Sequence, residues 1–220
     1  MKLPPEEPAV GPWRVETIAD VAGRLTGRPP APDGRPLVLA VDGRGSSGKT
    51  SLSRRLAEAV PGAAVVHTDD IAWWHAAFDW AGLLAGGVLE PVRAGQAVAY
   101  RPPAWDARDR PGAVTVPAGL TLLVVEGVGS SRRALAHLLD ASVWVQSDLD
   151  EIDRRNAVRV QAGEISPAGF DSWMAEELPF LAADRPWERA ALIVAGTPSL
   201  RHDPRSELVV ADPPRPPAAG

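Results

Sequence analysis

The segment with the clearest chemical capacity is GRGSSGKT, at positions 43–50. It satisfies the pattern G-x-x-x-x-G-K-[ST], in which backbone N–H groups surround phosphate oxygens, the lysine reaches the β- and γ-phosphates and the last hydroxyl coordinates Mg²⁺. An apolar run at 37–41 precedes the loop and a helical pattern follows it, so the positive end of a helix dipole points at the same place. The segment predicts a nucleoside triphosphate site formed by Gly43, Gly45, Ser46, Ser47, Gly48, Lys49, Thr50 and Ser51.

Acidic side chains follow the next two apolar runs of the chain. Asp69 and Asp70 come after residues 63–67, and Glu126 comes after residues 120–125. If both runs are strands of a parallel sheet, their carboxyl ends meet at the edge where open α/β sheets bind ligands. Glu126 is therefore a candidate partner of the metal through water, and one of the two aspartates is a candidate base for a hydroxyl proton.

Arginines on a later predicted helix are candidates for phosphate contact. Arg154, Arg155 and Arg159 lie on this helix, and positions 155 and 159 share one face. Glu151 and Arg155 also have the spacing of an ordinary i,i+4 surface ion pair, so two interpretations stay open. We favour the phosphate role, in which Arg155 and Arg159 stabilise the transferring group.

Aromatic residues are concentrated between the second and third predicted strands. Four of the eight tryptophans, Trp73, Trp74, Trp80 and Trp105, lie at 71–110 together with the only tyrosine. A single buried tryptophan is more often a packing residue than a ligand contact. As a cluster beside a phosphate site, these residues nevertheless indicate a pocket for the molecule that accepts the phosphate.

Strand and helix patterns alternate along the rest of the chain. This alternation predicts an α/β fold with a doubly wound, mainly parallel five-stranded sheet and helices on both faces. The predicted strands lie at 37–41, 63–67, 120–125, 141–146 and 190–195, with a short further strand at 208–210. The predicted helices lie at 15–25, 49–60, 131–139, about 148–162 and 170–183. Ser147 and Asp150 resemble a capping box at the start of the fourth helix.

We expect one domain over residues 1–211, because 220 residues suit a single α/β domain. Residues 1–12 contain four prolines and little that would pack. The domain is divided into an N-terminal surface helix and linker at 1–36, an acceptor-side insertion at about 71–112, and a lid with its helices at about 150–183. The proline-rich residues 212–220 are expected to form a disordered tail.

Composition limits the classes of partner. The formal net charge of −5 and the lack of a long basic block argue against a nucleic-acid-binding surface. Because there is no cysteine, disulfides and thiolate metal sites do not exist. No apolar run approaches about 18 residues and the N-terminus lacks a secretion signal, so we expect a cytoplasmic protein without a membrane partner. A homo-oligomer stays open, since Trp173 and Trp187, expected to be exposed, would suit an interface as well as a lid hinge.

Several segments together resemble the uridine kinase family of P-loop kinases, over about residues 37–200. They are VDGRGSSGKT at 41–50, HTDD at 67–70, FD at 78–79, PAWD at 103–106, VEG at 125–127 and the arginines at 154–159. The resemblance implies a P-loop NTPase fold of the nucleoside and nucleotide kinase type. It further implies an enzyme that uses ATP and Mg²⁺ to phosphorylate a hydroxyl of a small molecule, with a nucleoside as the leading acceptor.

The resemblance also implies roles for individual residues. It makes Asp69 the catalytic base, with Asp70 as its rival, and gives Asp79 to the ribose hydroxyls. It implies that Thr50, Glu126 and Asp69 surround the metal, and that Trp105 and Asp106 lie near the nucleobase. The arginines correspond to a mobile lid, and Gly196, Thr197 and Pro198 to a loop beside adenine. The full set expected to contact the acceptor is Asp70, Trp74, Asp79, Trp105, Asp106 and Arg110.

The nucleobase side departs from the family pattern. Trp105 replaces a tyrosine, and ARDR at 107–110 stands where the family has a histidine that contacts the base. Another hydroxylated metabolite or a drug is therefore an alternative acceptor, and an acceptor-independent ATPase or nucleotide-binding regulator is an alternative function. The sequence leaves the choice between ATP and another triphosphate open. It excludes a GTPase switch, because lysine occurs only at positions 2 and 49 and the guanine motif N-K-x-D is absent.

Overall fold

The computed structural model describes residues 1–27 and 35–214. Within these ranges the strands are β1 (Arg14–Thr17), β2 (Leu37–Gly43), β3 (Ala63–His67), β4 (Val98–Tyr100), β5 (Val114–Val116), β6 (Leu122–Glu126), β7 (Ala141–Gln146), β8 (Leu192–Ala195) and β9 (Glu207–Ala211). The α-helices are α1 (Ile18–Thr26), α2 (Lys49–Ala59), α3 (Thr68–Ala72), α4 (Ala81–Leu84), α5 (Glu90–Arg93), α6 (Pro103–Ala107), α7 (Leu149–Gln161) and α8 (Pro167–Asp184). A π-helical segment (Ala85–Leu89) joins α4 to α5, and 3₁₀ helices form at Arg133–Leu138 and Pro186–Glu188.

The main sheet has seven strands in the order β1-β9-β8-β7-β2-β6-β3. The run from β8 to β3 is parallel throughout and corresponds to the five strands predicted from sequence. Antiparallel β9 and β1 extend the sheet beyond β8, so the predicted number of five strands is corrected to seven. β4 and β5 pair separately in the insertion. The fold class, a doubly wound and mainly parallel α/β sheet, is confirmed.

The N-terminal segment differs most from its predicted structure. Residues 15–17, predicted to be helical, belong to β1, because their backbone groups pair with β9, with Val15 opposite Val209. The helix starts only at Ile18, where the Thr17 side chain accepts a hydrogen bond from the Asp20 N–H and caps it. A strand partner far away in sequence therefore overrides the local helical pattern.

Three smaller predictions also need correction. The segment predicted as a helix at 131–139 forms the tighter 3₁₀ helix Arg133–Leu138, and the strand predicted at 190–195 begins at Leu192. The cap of α7 is Asp148, whose side chain accepts from the Asp150 N–H, instead of Ser147. Ser147 donates its hydroxyl to the Ser47 carbonyl, at 3.0 Å, and so contacts the glycine loop.

Both faces of the central sheet are covered, and β2, β6 and β3 end at the same edge of it. Leu39 and Val41 of β2 pack in a core with α1 and α2, whereas Val38 packs in a second core with the insertion. Val41 and His67 both lie opposite Glu126 in the register of β2, β6 and β3. The residues that follow these strands therefore leave the sheet at one edge.

Two tryptophans expected at the surface are not exposed there. Trp187 is buried, with 1% of its surface exposed, and packs edge to face against Trp144 with ring centroids 5.4 Å apart. Trp173 is half-buried and faces Phe78, with ring centroids 5.2 Å apart. Trp187 is therefore a core residue and Trp173 is only partly exposed, while the homo-oligomer stays a prediction.

Some expectations fall on residues outside the described ranges. The linker expected up to residue 36 lies outside them at positions 28–34, and the expected tail lies outside them at 215–220. Within the described parts of the chain, no helix is both long and apolar enough to cross a membrane.

Asp140 joins the beginnings of β2 and β7 through its side chain and backbone. Its carboxylate accepts from the Arg35 guanidinium at 2.7 and 2.9 Å and from the Val38 N–H at 2.9 Å, while its own N–H donates to the Val38 carbonyl at 2.9 Å. Partial burial opposes ionisation, but the guanidinium and the N–H outweigh it and hold the pKa of the Asp140 carboxyl below its usual value. The ionised form therefore stabilises the fold.

We expect Asp140→Asn to lower the free energy of unfolding at pH 7 by about 1–2 kcal/mol, because a charged hydrogen-bond acceptor is lost. Since the folded pKa lies below the unfolded one, this stabilisation is present above about pH 4, the unfolded value, and disappears as the pH falls through the folded pKa. Denaturant unfolding of both proteins at pH 7 and pH 3 measures the difference. A loss of equal size at both pH values would contradict the assignment.

The matched control is Glu58→Gln. Glu58 pairs with Arg54 across an exposed helix turn, at 3.1 Å, with both side chains more than 60% exposed. Water and salt screen such a pair, so its removal should leave the free energy of unfolding unchanged within error.

Candidate active site

A cavity of about 1080 Å³ opens at the carboxyl edge of the parallel strands. The glycine loop after β2 forms its floor, Asp69 and Glu126 approach from the ends of β3 and β6, and α7 and α8 form the opposite wall. The predicted residues that line it are Gly45, Ser46, Ser47, Gly48, Lys49, Thr50, Ser51, Asp69, Glu126, Arg154, Arg155, Arg159, Gly196 and Pro198. The structure thus gathers most of the predicted nucleotide and metal residues in one place.

Two glycines of the loop satisfy steric demands that other residues would violate. Gly48 immediately precedes α2 with φ +102°, a left-handed conformation that favours glycine. At Gly43 a side chain would meet the Val145 carbonyl oxygen at 2.9 Å and the Ser47 hydroxyl at 2.7 Å. Gly43 itself does not line the cavity, so its contribution is to let the loop pass close to β7.

Lys49, Thr50 and Glu126 form the polar centre of the cavity. Lys49 is buried, and its Nζ donates to the carbonyl of Arg44 at 2.7 Å. The Thr50 hydroxyl lies 3.3 Å from Glu126 Oε2, and the same carboxylate oxygen lies 2.7 Å from His67 Nδ1. The hydrogen bond to Glu126 raises the pKa of His67. His67 is a site residue that the sequence reasoning missed, although it begins the HTDD segment.

Asp69 and Asp70 have different surroundings. Asp69 is exposed and lines the cavity; desolvation by the nearby cavity wall raises the pKa of its carboxyl, while the Lys49 ammonium opposes the rise. Asp70 instead forms an ion pair with Arg110, at 2.6 Å, outside the lining of the cavity. Because Asp70 is held by that partner, its position favours Asp69 over its rival as the base.

A buried carboxylate holds the two loops of the site together. Asp42 is fully buried and accepts from the N–H groups of Gly43, Gly129 and Ser131 at 2.7, 2.8 and 2.9 Å, and from the Ser131 hydroxyl at 2.7 Å. Burial raises the pKa of Asp42, and these hydrogen bonds oppose the rise. Asp42 thereby connects the start of the glycine loop to the loop after β6. The sequence reasoning did not select Asp42 as a site residue. Its position directly before the first glycine of the loop is the feature that could have indicated it.

Arg155 of α7 takes part in the i,i+4 surface pair considered from the sequence and also contacts the glycine loop. Arg155 pairs with Glu151 at 2.8 Å, but its guanidinium also donates to the carbonyls of Ser46 and Gly196, both at 3.0 Å. Hydrogen bonds from Arg154 and Arg155 hold the pKa of Glu151 at about 2. Arg155 therefore braces the glycine loop while it takes part in a helix-surface pair.

The other side chains of α7 differ in how they meet the loop. Arg159 lines the cavity and pairs with Glu164, and Arg154 is exposed with Glu151 as its partner. Asn156 accepts a hydrogen bond from the Ser46 hydroxyl at 2.6 Å, a contact that no pattern in the sequence indicated.

α8 covers the cavity with residues that the sequence reasoning did not select. Phe170, Trp173, Met174 and Glu177 line it. The Glu177 carboxylate accepts from the Gly45 N–H at 2.9 Å and from the Trp173 indole. Little in the sequence indicates that these residues face a cavity, because α8 has no clear amphipathic pattern around them.

The predicted acceptor residues lie outside the cavity. Trp105 is 4% exposed, and its indole N–H donates to the Asp70 carbonyl at 2.9 Å. The Arg110 guanidinium stacks on the Trp105 ring at 3.7 Å. Trp105 therefore has the surroundings of a packing residue, the alternative weighed from sequence.

Three further acceptor candidates are also elsewhere. Asp106 pairs with Arg101 at 2.6 Å on the surface, Trp74 is 66% exposed beneath the Arg108 guanidinium, and Asp79 is exposed. Thr197 accepts from the Asp148 N–H at 3.2 Å and does not line the cavity, whereas its neighbour Pro198 does. The structure therefore gathers the predicted nucleotide-binding residues in the cavity, whereas the predicted acceptor residues lie outside it, with Asp70, Trp105 and Arg110 in contact with one another.

Comparison with solved structures identifies proteins with the same arrangement of strands and helices. One is a provisionally assigned fructose transport system kinase from Silicibacter sp. TM1040, which is 21% identical, with 80% of this chain and 96% of that chain covered and a TM-score of 0.58. The fold is that of P-loop kinases. Another is a provisionally assigned uridine kinase from Bacillus stearothermophilus, at 16% identity, the same coverages and a TM-score of 0.50. Models of known protein families and curated protein sequences give no match.

The N-terminal segment supports the P-loop from beneath, contrary to the expectation that residues 1–12 would not pack. Glu7 is buried and accepts from the Trp144 indole at 2.7 Å, the Gln146 amide at 3.1 Å and Arg44 Nε at 3.1 Å. Arg44 is the second residue of the P-loop and is itself buried. Its carbonyl holds Lys49, so the ion pair with Glu7 fixes a residue next to the polar centre.

We expect Glu7→Gln to lower the free energy of unfolding by about 3 kcal/mol, because it leaves the buried Arg44 guanidinium without its carboxylate. Denaturant unfolding measures the loss. The double variant Glu7→Gln, Arg44→Met should recover part of the stability, since it removes the unpaired charge. If the single variant is as stable as the original protein, the ion pair is not a support of the loop.

Proposed function

We propose that the protein is an ATP- and Mg²⁺-dependent phosphotransferase that moves the γ-phosphate to a hydroxyl of a small molecule. The observation that carries the proposal is the convergence of Lys49, Thr50, Glu126 and Asp69 around one cavity at the carboxyl edge of the sheet. A P-loop supplies phosphate binding, and an aspartate facing the same space supplies a base.

In the proposed reaction Asp69 orients the acceptor hydroxyl and takes its proton as the oxygen attacks the γ-phosphorus. The bond from that phosphorus to the oxygen bridging to the β-phosphate breaks, and ADP leaves with the electron pair. Lys49 contacts the β- and γ-phosphate oxygens and offsets their charge. Desolvation by the surrounding cavity wall raises the pKa of the Asp69 carboxyl, and a higher pKa makes its carboxylate a stronger proton acceptor, which suits the role.

Thr50 and Glu126 are the residues proposed to hold Mg²⁺, with Asp69 nearby. Their oxygen atoms are ligands of the type that Mg²⁺ prefers, and the Thr50 hydroxyl and the Glu126 carboxylate are 3.3 Å apart. Mg²⁺ in such sites usually keeps several waters and takes further ligands from the phosphates, so two protein oxygens would be enough. The bound ion would neutralise charge on the β- and γ-phosphates.

Arg155 and Arg159 are proposed to close over the transferred group. Arg155 already bonds to the P-loop at Ser46, and Arg159 lies 3.5 Å from the Ser46 hydroxyl. Exclusion of water by α7 and α8 would limit wasteful hydrolysis of the nucleotide.

The family resemblance and the lining of the cavity point to different classes of acceptor. The resemblance to uridine kinases suggests a nucleoside, but Trp105, Asp106 and Arg110 do not line the cavity. This observation favours an acceptor recognised through other residues, such as a sugar or another hydroxylated metabolite. One of the similar structures is itself a provisionally assigned fructose transport system kinase.

The decisive experiment measures ADP release with and without nucleosides, sugars and amino alcohols, and identifies the phosphorylated product by mass. We expect release to depend on one class of acceptor. Release that is equal with and without every acceptor would support an ATPase instead. Lys49→Ala should abolish transfer to the acceptor, and transfer that survives this change would overturn the P-loop assignment.

We expect Asp69→Asn to lower kcat by about 10²–10⁴-fold, because the hydroxyl loses its proton acceptor. ATP should still bind, since the P-loop is unchanged, and calorimetric titration with ATP checks this. The matched control is Asp70→Asn, which alters the ion pair with Arg110 and should change kcat much less. The opposite result for the two variants would move the base to Asp70.

A further inference from the structure

Glu177 places a negative charge against the P-loop. It lies in the second half of α8, is 1% exposed, and its carboxylate accepts from the Gly45 N–H at 2.9 Å. A side chain at position 45 would meet Glu177 Oε2 at 3.1 Å, so the glycine allows this close approach. Backbone N–H groups of this loop are the donors that nucleotide phosphates use. The carboxylate therefore occupies a position suited to a phosphate oxygen.

The contact lies at the end of the loop where Lys49 acts. Lys49 Nζ donates to the carbonyl of Arg44, and Glu177 accepts from the N–H of Gly45. That carbonyl and that N–H belong to the same peptide group. One peptide unit thus separates the ammonium that serves the β- and γ-phosphates from the Glu177 carboxylate. Glu177 consequently lies at the end of the loop that would meet the terminal phosphates.

No positive partner neutralises Glu177. Its carboxylate hydrogen bonds are to neutral donors, the Gly45 N–H and the Trp173 indole, and it takes part in no ion pair among residues 1–27 and 35–214. An ionised terminal phosphate brought to the same N–H would meet a like charge in a water-poor site, where repulsion is strong. The two anions cannot use this donor together.

The helix that carries Glu177, α8, is held at one end by an aromatic contact and contains a proline in its interior. Phe180 stacks on Phe78 with ring centroids 4.2 Å apart, which fastens the end of α8 to the insertion. Pro179 lies inside the helix, two residues after Glu177, and interrupts its hydrogen bonding. Trp173, in the part of α8 before Pro179, also faces Phe78, with ring centroids 5.2 Å apart. Bending at Pro179 would therefore give up this second contact while the Phe180 stack stays in place.

We propose that Glu177 is a specificity-determining residue that competes with the terminal phosphate of a nucleotide for the Gly45 N–H. ATP must displace the carboxylate in order to bind, whereas ADP binds with the carboxylate in place. After transfer, the carboxylate returns to the Gly45 N–H and favours departure of the phosphorylated acceptor. This inference rests on the proposed function, because it requires that the P-loop binds ATP.

The test is calorimetric titration of the full chain with ATP and with ADP, both with Mg²⁺ and without an acceptor. We expect Glu177→Ala to lower the Kd for ATP roughly tenfold, the effect of removing one charged hydrogen-bond competitor, and to change the Kd for ADP less than twofold. Glu177→Gln, which keeps the shape and removes the charge, should have an intermediate effect. Glu176→Ala removes an exposed carboxylate one residue earlier and should change neither Kd.

A Kd for ATP that is unchanged or higher in Glu177→Ala would overturn the proposal, and so would an equal fall for ADP. Trp173→Phe provides a second route if the alanine variant folds poorly. It removes the other donor that holds the carboxylate and should also lower the Kd for ATP. If Lys49→Ala loses ATP binding while both Glu177 variants bind like the original protein, the P-loop assignment stands and this inference fails. Failure of the original protein to bind ATP would overturn both.

Discussion

A glycine-rich loop has few side chains with which to hold its own shape, so bonds from outside the loop must fix it. In this protein the central bond is made by Asp42, whose buried carboxylate accepts four hydrogen bonds and joins the loop after β2 to the loop after β6. Removing such an acceptor would leave several buried donors unsatisfied, which costs far more than one hydrogen bond contributes. Thr50 follows the first of these loops and Glu126 precedes the second, so the connection lies between the two elements that carry them.

The other supports reach the loop from distant parts of the chain. Glu7 holds Arg44 from below, α7 holds Ser46 through Arg155 and Asn156, and α8 holds Gly45 through Glu177. Each support meets a different residue of the loop, so a change at one of them need not disturb the others. Asp42 fixes the P-loop, whereas α7 and α8 contact the loop from the other side of the cavity. Helices placed in this way can move while the loop keeps its shape.

The parts of the molecule that sequence predicted are those set by local pattern. β3 and β7 match their predicted bounds because compact apolar runs end at clear turn signals. Asp69 and Glu126 were predicted to meet because parallel strands end at one edge, a rule that needs no knowledge of side-chain packing. β1 and the contacts of Glu7 and Glu177 escaped prediction because their partners lie far away in sequence. Trp144, for example, is 137 positions from Glu7.

The insertion shows why aromatic composition alone misplaces a binding pocket. Trp105 and Trp80 are buried in the core, and guanidinium groups stack on their faces, with Arg110 over Trp105 at 3.7 Å and Arg132 over Trp80 at 4.0 Å. Arginine suits this use because its planar, weakly hydrated head packs on a ring while its N–H groups reach carbonyls or carboxylates. Arg132 does so by donating to the carbonyls of Gly129 and Phe78. The chain has 23 lysine and arginine residues, of which only two are lysines. In such a chain, clustered aromatic residues indicate rings on which arginines stack to stabilise the fold as much as they indicate ligand contacts. In the proposed reaction the acceptor would instead meet the residues that line the cavity, among them those of α8 and Asp69.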